Sequence, residues 1–354
     1  MTTTKMLMFA ILVAALTLGC GEKPAPVPEQ KVSALEKVEA APAASEEPAP
    51  AKPAPEKPAA PAVSPEVLAK CEVFDPPWGE GDWAEWGQAN PEAGEDWYDS
   101  IEDVMKKADL SVLPECTHLT SMFVGFTEIA DLAPLAGLTG LKRLDLRMSP
   151  KLVDLAPLTS LEKLEYLNIT ATGVTDLGPL AELPALKELE ARMLTVKDLT
   201  PLGKSKSLES FDVLKCPVED VAPLAESKTL KEAMLCTTDV SDITPLNALA
   251  DQLTAIDLCN TKFEAFDTLK PFTKLTFLRL WGQPIEDLTV IAGMTEMEDL
   301  DLTKTKVKDL SPLHGMKKLK KLYLMMVEID QAQIDALKKA IPGVEIQTKM
   351  QFNK

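Results

Sequence analysis

Glu190 and Asp212 stand 22 residues apart, at the same place in two consecutive copies of a recurring phrase. Copies that stack as neighbouring strands would set these carboxylates side by side, and such a pair can raise one pKa enough for acid–base work. An open, solvated face with Arg192 close by makes a plain charged surface the simpler reading. The rest of the chain offers little other chemistry. His118 and His314 are far apart, and no Ser/His/Asp or Cys/His set accompanies them. Phosphate-cradling glycines, a D-x-D-x-D-G calcium loop and C-x-x-C metal spacing are all missing. We therefore expect no enzyme, no metal and no cofactor.

The elements that would position these groups come from a repeat. Units begin at Leu119, Leu141, Leu164, Leu186, Leu208, Leu230, Leu253, Leu275, Met297 and Leu319, at a spacing of 22 residues, twice 23. A fixed period in this range marks a solenoid. Within a unit, apolar residues fall at positions one, four and six, as in Leu275, Leu278 and Leu280, and the alternation reads as a strand. They return at eleven, fourteen and seventeen, as in Ile285, Leu288 and Ile291. Aspartate at position thirteen, for example Asp131, Asp176 and Asp309, suits a helix N-cap. Proline three residues later, as in Pro134, Pro179 and Pro312, fits the first turn, where its missing N–H costs nothing. Each unit is thus strand, turn and short helical return. One unit alone buries too few aliphatic side chains to offset the entropy of ordering it, so neighbours must stack.

The phrase L-x-x-L-x-L-x-x-T-x-V-x-D-L-x-P-L, clearest over 297–313 and 164–180, resembles the leucine-rich repeat family in its bacterial internalin-like form. The resemblance covers residues 119 to about 346. It implies an α/β solenoid with a curved parallel β-sheet on the concave face and short helical or 3-10 turns on the convex face. It implies an activity class only, because such repeats serve adhesion, inhibition and assembly alike. Position nine, usually Asn in the family, is here Thr127, Thr172, Thr238, Thr261 and Thr305, with Cys216, Leu194, Gln283 and Val327 elsewhere. The polar ladder that holds the turn backbone should therefore be weaker and partly absent.

Positions three, five and seven point outward from about ten strands, which gives a face ~45 to 50 Å long. Column five is largely acidic, with Asp145, Glu190, Asp212, Asp257 and Asp301, while column seven interleaves Arg147, Arg192 and Trp281. Phe277, Trp281, Tyr323, Met325 and Met326 gather towards the C-terminal side, and Phe123, Phe126 and Tyr166 near the start. Aromatics with arginine are typical interface anchors. The candidate partner-binding residues are Arg147, Tyr166, Arg192, Asp212, Phe277, Arg279, Trp281 and Tyr323. The partner expected is another protein. An envelope structural or carbohydrate-binding role is the second reading, and a carboxylate-dependent hydrolase the third.

The N-terminal region explains where such a scaffold would work. Lys5 precedes an apolar run from Met6 to Leu18 that is too short to span a bilayer and reads as an export signal. The run ends in "LTLGC", which resembles the lipobox of bacterial lipoproteins and makes Cys20 the lipidation candidate, although Thr17 stands where Leu is usual. Ordinary cleavage nearby, or an uncleaved anchor, is the alternative. Gly21 rather than Asp implies onward sorting to the outer membrane, facing periplasm or surface. Residues 1–20 are thus signal and lipidation site, and 21–65, with eleven prolines, a tether that could extend ~140 Å as polyproline II. Residues 66–118 form an acidic, Trp-rich cap, 119–318 the repeats, and 319–354 the last repeat with a helical C-terminal cap. An acidic aromatic patch for a cationic partner is a sharper reading of 66–118.

The net charge is −18, of which −11 falls in 66–118. No basic face exists for nucleic acid, and the only membrane contact expected is through the lipid. A monomer is expected. In an oxidising compartment Cys71 and Cys116 are candidates for a disulfide worth ~3 to 4 kcal/mol. Cys236 and Cys259 share position seven of consecutive units, within disulfide reach or as two free small residues. Cys216 points inward as a buried thiol.

Overall fold

The computed structural model describes Cys71 and residues 110–349. Eleven three-residue strands form one parallel sheet in strict sequence order: β1 Ser121–Phe123, β2 Arg143–Asp145, β3 Tyr166–Asn168, β4 Glu188–Glu190, β5 Ser210–Asp212, β6 Glu232–Met234, β7 Ala255–Asp257, β8 Phe277–Arg279, β9 Asp299–Asp301, β10 Lys321–Tyr323 and β11 Glu345–Gln347. Each of the first ten covers positions three to five of its unit. Position four therefore faces the core and pairs with its own kind: Leu144 stands beside Leu167, Leu189 beside Phe211, and Leu278 beside Leu300. The stack of leucines continues as one apolar core from Cys71 through Val344. The eleventh strand is the product of the last unit's extension and takes the sheet one strand past the repeats.

The return segments are 3-10 turns in all but two places. α1, Thr200–Lys204, is a single α-turn, and α2, Gln331–Ala340, is a true helix that buries Ile334 and Leu337. The aspartates act one step earlier than a helix cap. In the unit of β1 the Asp131 carboxylate accepts the N–H of Ala133, the first residue of the turn, and Leu132 stands between them. The same i to i+2 bond recurs at Asp154, Asp176, Asp198, Asp220, Asp242, Asp287 and Asp309. Only Asp287 occupies the cap position itself, because its turn begins at Leu288. These are Asx turns that hand the chain into the return. Asp176→Ala is expected to lower stability by about 1 kcal/mol, read as a lower urea midpoint with unchanged slope.

Position eight holds the surprise. Its backbone is left-handed in every unit, with φ between 48° and 76°, although nine of the ten residues are not glycine: Phe126, Met148, Ala171, Met193, Lys215, Thr237, Asn260, Lys304 and Met326. Gly282 is the exception. The conformation costs a non-glycine residue about 1–2 kcal/mol, and the ladder supplies the compensation. The position-eight N–H still bonds to the next unit, as from Ala171 to the Arg192 carbonyl at 2.9 Å. Threonine at position nine then donates to the position-six carbonyl of its own unit, from Thr127 to Val124 at 2.9 Å through Thr305 to Leu302 at 2.7 Å. The ladder is more complete than its composition suggests. Ser149, Cys216 and Gln283 reach back to carbonyls of the preceding unit, and the interruptions fall at Leu194 and Val327, which have no donor to offer.

Cys71 and Cys116 are disulfide-bonded with their Cα atoms 5.5 Å apart, which fastens Cys71 to the turn Leu110–Glu115 that leads into the first unit. Cys236 and Cys259 are also bonded, Cα atoms 4.6 Å apart, across neighbouring rungs. Cys216 is buried and its thiol is pushed up to about 12 by burial, so it stays protonated. Cys20, the tether, the C-terminal 350–354 and nearly all of the Trp-rich segment lie outside the described residues. Among the described residues no helix is long and apolar enough to cross a membrane.

Candidate functional site

The outward columns of the sheet bring the candidate residues onto one face, but not as an open, solvated one. Column five is buried from Phe123 to Arg279, and Tyr166, Asp212 and Phe277 are buried too. Side chains ~4.8 Å apart wall one another in, and arginines fold across the acidic column. The Arg192 Nε lies 2.7 Å from the Asp212 carboxylate and its Nη2 lies 3.8 Å from Glu190, which also accepts from the Asn168 amide at 3.0 Å. Glu190 and Asp212 are in register on β4 and β5, and the Arg192 guanidinium lies against both carboxylates. The acid–base reading of that pair has no support here.

The same device recurs on either side. Arg147 chelates Asp145, and the Arg279 Nη1 sits 2.9 Å from Asp257, with its Nε 3.7 Å from Asp301. Burial pushes the Asp257 carboxyl up to about 6 despite the attraction of Arg279, and it lifts Asp145 and Asp301 in the same direction. A grouping with metal-ligand spacing, Cys236, Asp257 and Cys259, lies beside Arg279, its ligand atoms within 4.8 Å of one another. Both sulfurs are spent on the disulfide and the carboxylate on Arg279, so the set does not fit a resident ion.

Two small apolar clusters lie on this face, separate from the core. One is Met234, Ala255 and Phe277; the other is Leu214, Cys236 and Cys259, with Trp281 packed against them. The Arg279 guanidinium lies 5.2 Å from the Phe277 ring centroid. The face opens from β9 onward: Asp299, Asp301, Lys321, Tyr323 and Met325 are half-buried, and Met326 is 62% exposed. Trp281 is half-buried, with the Lys304 ammonium 5.4 Å from its ring centroid. Thus Phe277, Arg279 and Trp281 come together on one unit, Arg192 and Asp212 meet across two neighbouring units, and Tyr323 stands at the open end. Two participants escaped the sequence reading. Arg143, whose guanidinium covers the Tyr166 ring at 4.0 Å, is legible as the column-three neighbour of Tyr166. Lys304 is visible only once position eight is known to be left-handed.

Neither a protein-family model nor a curated protein matches the sequence. Solved structures do. An internalin (inlF) from Listeria monocytogenes matches with a TM-score of 0.58 and 25% identity, over 69% of this chain and 71% of that one. The chain has the leucine-rich repeat fold in its internalin-like form. The ectodomain of the Arabidopsis thaliana receptor kinase GASSHO1/SCHENGEN3, solved with Casparian strip integrity factor 2, has the same repeat fold, with a TM-score of 0.51 and 16% identity over 68% of this chain and 34% of its own. A leucine-rich repeat protein of Leptospira interrogans gives a TM-score of 0.46 and 15% identity over 67% and 74%. In this leucine-rich repeat array the unusual features are the arginine-clasped acidic column and the apolar clusters on the outward side of the sheet.

Proposed function

We propose that the protein is a non-catalytic scaffold that takes a protein partner on the concave face of its repeats. The observation that carries this reading is the run of apolar and aromatic side chains outside the core, from the Phe277 cluster through Trp281 to the half-exposed Tyr323 and Met325 and the exposed Met326. Aromatics and methionine at an accessible edge are the usual anchors of a protein interface, and a face of this length exceeds the ~800 Å² per partner of a standard one. The arginine-clasped carboxylates around it favour binding over chemistry. The plant receptor ectodomain, with a ligand named in its complex, illustrates the use of such repeats for recognition.

The same proposal places the array in the envelope as an exported monomer, anchored through lipid on Cys20 and held off the outer membrane by 21–65, facing periplasm or surface. The lipobox-like "LTLGC" and the proline-rich composition support that part. The test joins both. Full-length protein cross-linked in intact envelopes is expected to capture a discrete partner that the Trp281→Ala/Tyr323→Ala variant loses while keeping its urea midpoint within about 1 kcal/mol. Capture that survives the double substitution rejects the concave face. Cys20→Ser is expected to release the chain from membranes; retention there would reject the lipid anchor.

A further inference from the structure

The two disulfides among the described residues have different settings. Cys71 and Cys116 belong to the main core, whereas Cys236 and Cys259 lie outside it, in a small cluster on the outward side of the sheet. The outward pair is not what holds its rungs in register. The backbone ladder flanks it: the Leu235 N–H donates to the Asp257 carbonyl at 2.9 Å and the Thr237 N–H to the Cys259 carbonyl at 2.7 Å. Leu235 and Leu258, one residue before each cysteine, are buried in the main core. Ladder and core thus set the two Cα atoms 4.6 Å apart, and the pairing of β6 with β7 does not depend on the S–S bond. Column seven also fixes how the pair can be reached. A thiolate attacks a disulfide sulfur along the line of the bond that breaks, and that bond joins neighbouring rungs, so the approach runs along the column. Next to Cys236 in that column is Leu214, which is buried; next to Cys259 is Trp281, which packs against the pair but is only half-buried.

We infer that Cys236–Cys259 is a reversible thiol–disulfide exchange site, opened by dithiols that reach the Cys259 sulfur past Trp281. The first thiolate of the dithiol bonds to the Cys259 sulfur, and the Cys236 sulfur leaves with the electron pair of the broken bond. The second thiolate then bonds to the first sulfur of its own molecule, which breaks the mixed disulfide and releases Cys259. Two electrons pass from the dithiol to the pair, the two protons the dithiol gives up end on the cysteines, and the dithiol departs as a cyclic disulfide. A low-molecular-weight disulfide closes the pair again by the reverse steps. The opened sulfurs move from a bond to van der Waals contact between rungs that stay in place, so the flanking Trp281 ring shifts towards solvent. The outward side of the array therefore changes shape at Trp281 with the thiol redox state around it. The assignment does not depend on the face having a protein partner.

Timed exposure of the native full chain to dithiothreitol, followed by alkylation and peptide mass spectrometry, reads which pair opens. Cys236 and Cys259 are expected to become labelled at least about tenfold faster than Cys71 and Cys116, with the circular dichroism spectrum unchanged. Oxidised glutathione added before the alkylation should restore the bond. Trp281→Ala should raise the opening rate severalfold by clearing the approach, and Trp281→Phe, which keeps a ring there, should stay close to the parent. Tyr323→Ala, on the same face but outside column seven, should leave the rate unchanged, and urea midpoints are read on the same samples. A pair that opens only where urea unfolds the chain, that opens no faster than Cys71–Cys116, or that does not close again overturns the assignment. An opening rate indifferent to Trp281→Ala, or raised equally by Tyr323→Ala, overturns the approach past Trp281.

Discussion

Phe211→Ala is expected to cost about 3–5 kcal/mol, the range for deleting a buried aromatic ring. Phe211 fills position four of β5 and is 1% exposed. Its register neighbours are Leu189 on one side and Ala233 on the other. The ring thus occupies space that Ala233 leaves on the next rung, and neither neighbour is large enough to collapse into the hole. The position is also central, with β1 to β4 on one side and β6 to β11 on the other. In a one-dimensional array stability is a sum of unit and nearest-neighbour terms, so weakening this contact should loosen the coupling between halves. Urea unfolding is expected to show a lower midpoint together with a shallower slope, the mark of lost two-state behaviour. An alanine variant within about 1 kcal/mol of the parent would mean that the stacked core does not carry the fold.

Arg279→Met is expected to destabilise by about 3–5 kcal/mol at pH 8, because it strands the buried Asp257 as an unpaired ion, and by much less at pH 5. The direction follows from the pKa. Burial holds the Asp257 carboxyl near 6, above its ordinary 3.8, so the folded state binds that proton more tightly than the unfolded chain does. Its contribution to stability is complete below the unfolded pKa and is lost as pH rises through about 6. Above that pH the Arg279 guanidinium, 2.9 Å away, offsets the cost of the ion, and its removal exposes that cost in full. Asp301, lifted by the same burial, adds in the same direction. Lower pH brings an opposing effect. Asp198, Asp242, Asp287 and Asp309, held below the usual range by the hydroxyl and N–H of the residue two places on, protonate and release their turns only as pH falls below the ordinary 3.8, outside the pH 5 to 8 window. Urea midpoints of parent and variant across pH 5 to 8 check the account; a gap that does not narrow towards pH 5 contradicts it.

Much of this architecture is written in the spacing. The 22-residue period fixes which residues face the core, because a one-residue slip in a strand would turn Leu144 or Leu278 outward. The aspartates and prolines mark the returns, and the outward columns follow by counting. What spacing could not supply is conformation that the ladder imposes. Phe126, Met148 and Met193 give no local sign of a left-handed backbone, because the usual signal is glycine or asparagine and only Gly282 and Asn260 carry it. Nor could it supply the burial of column five, which depends on arginines from the same or adjacent rungs folding over carboxylates. The shift of the aspartates to one residue before the cap has the same origin. Whether the return is a 3-10 turn or the α-turn α1, it starts at the residue before its proline, so the carboxylate reaches across an intervening residue such as leucine or valine.

Native-state hydrogen exchange on the intact chain tests the central claim, that ten units share one uninterrupted parallel sheet and so present a single docking face. The expected result is that strand amides from Leu144 to Leu322 are protected and lose that protection together as denaturant rises. Exchange in two or more independent blocks, or unprotected amides between β5 and β7, would contradict it.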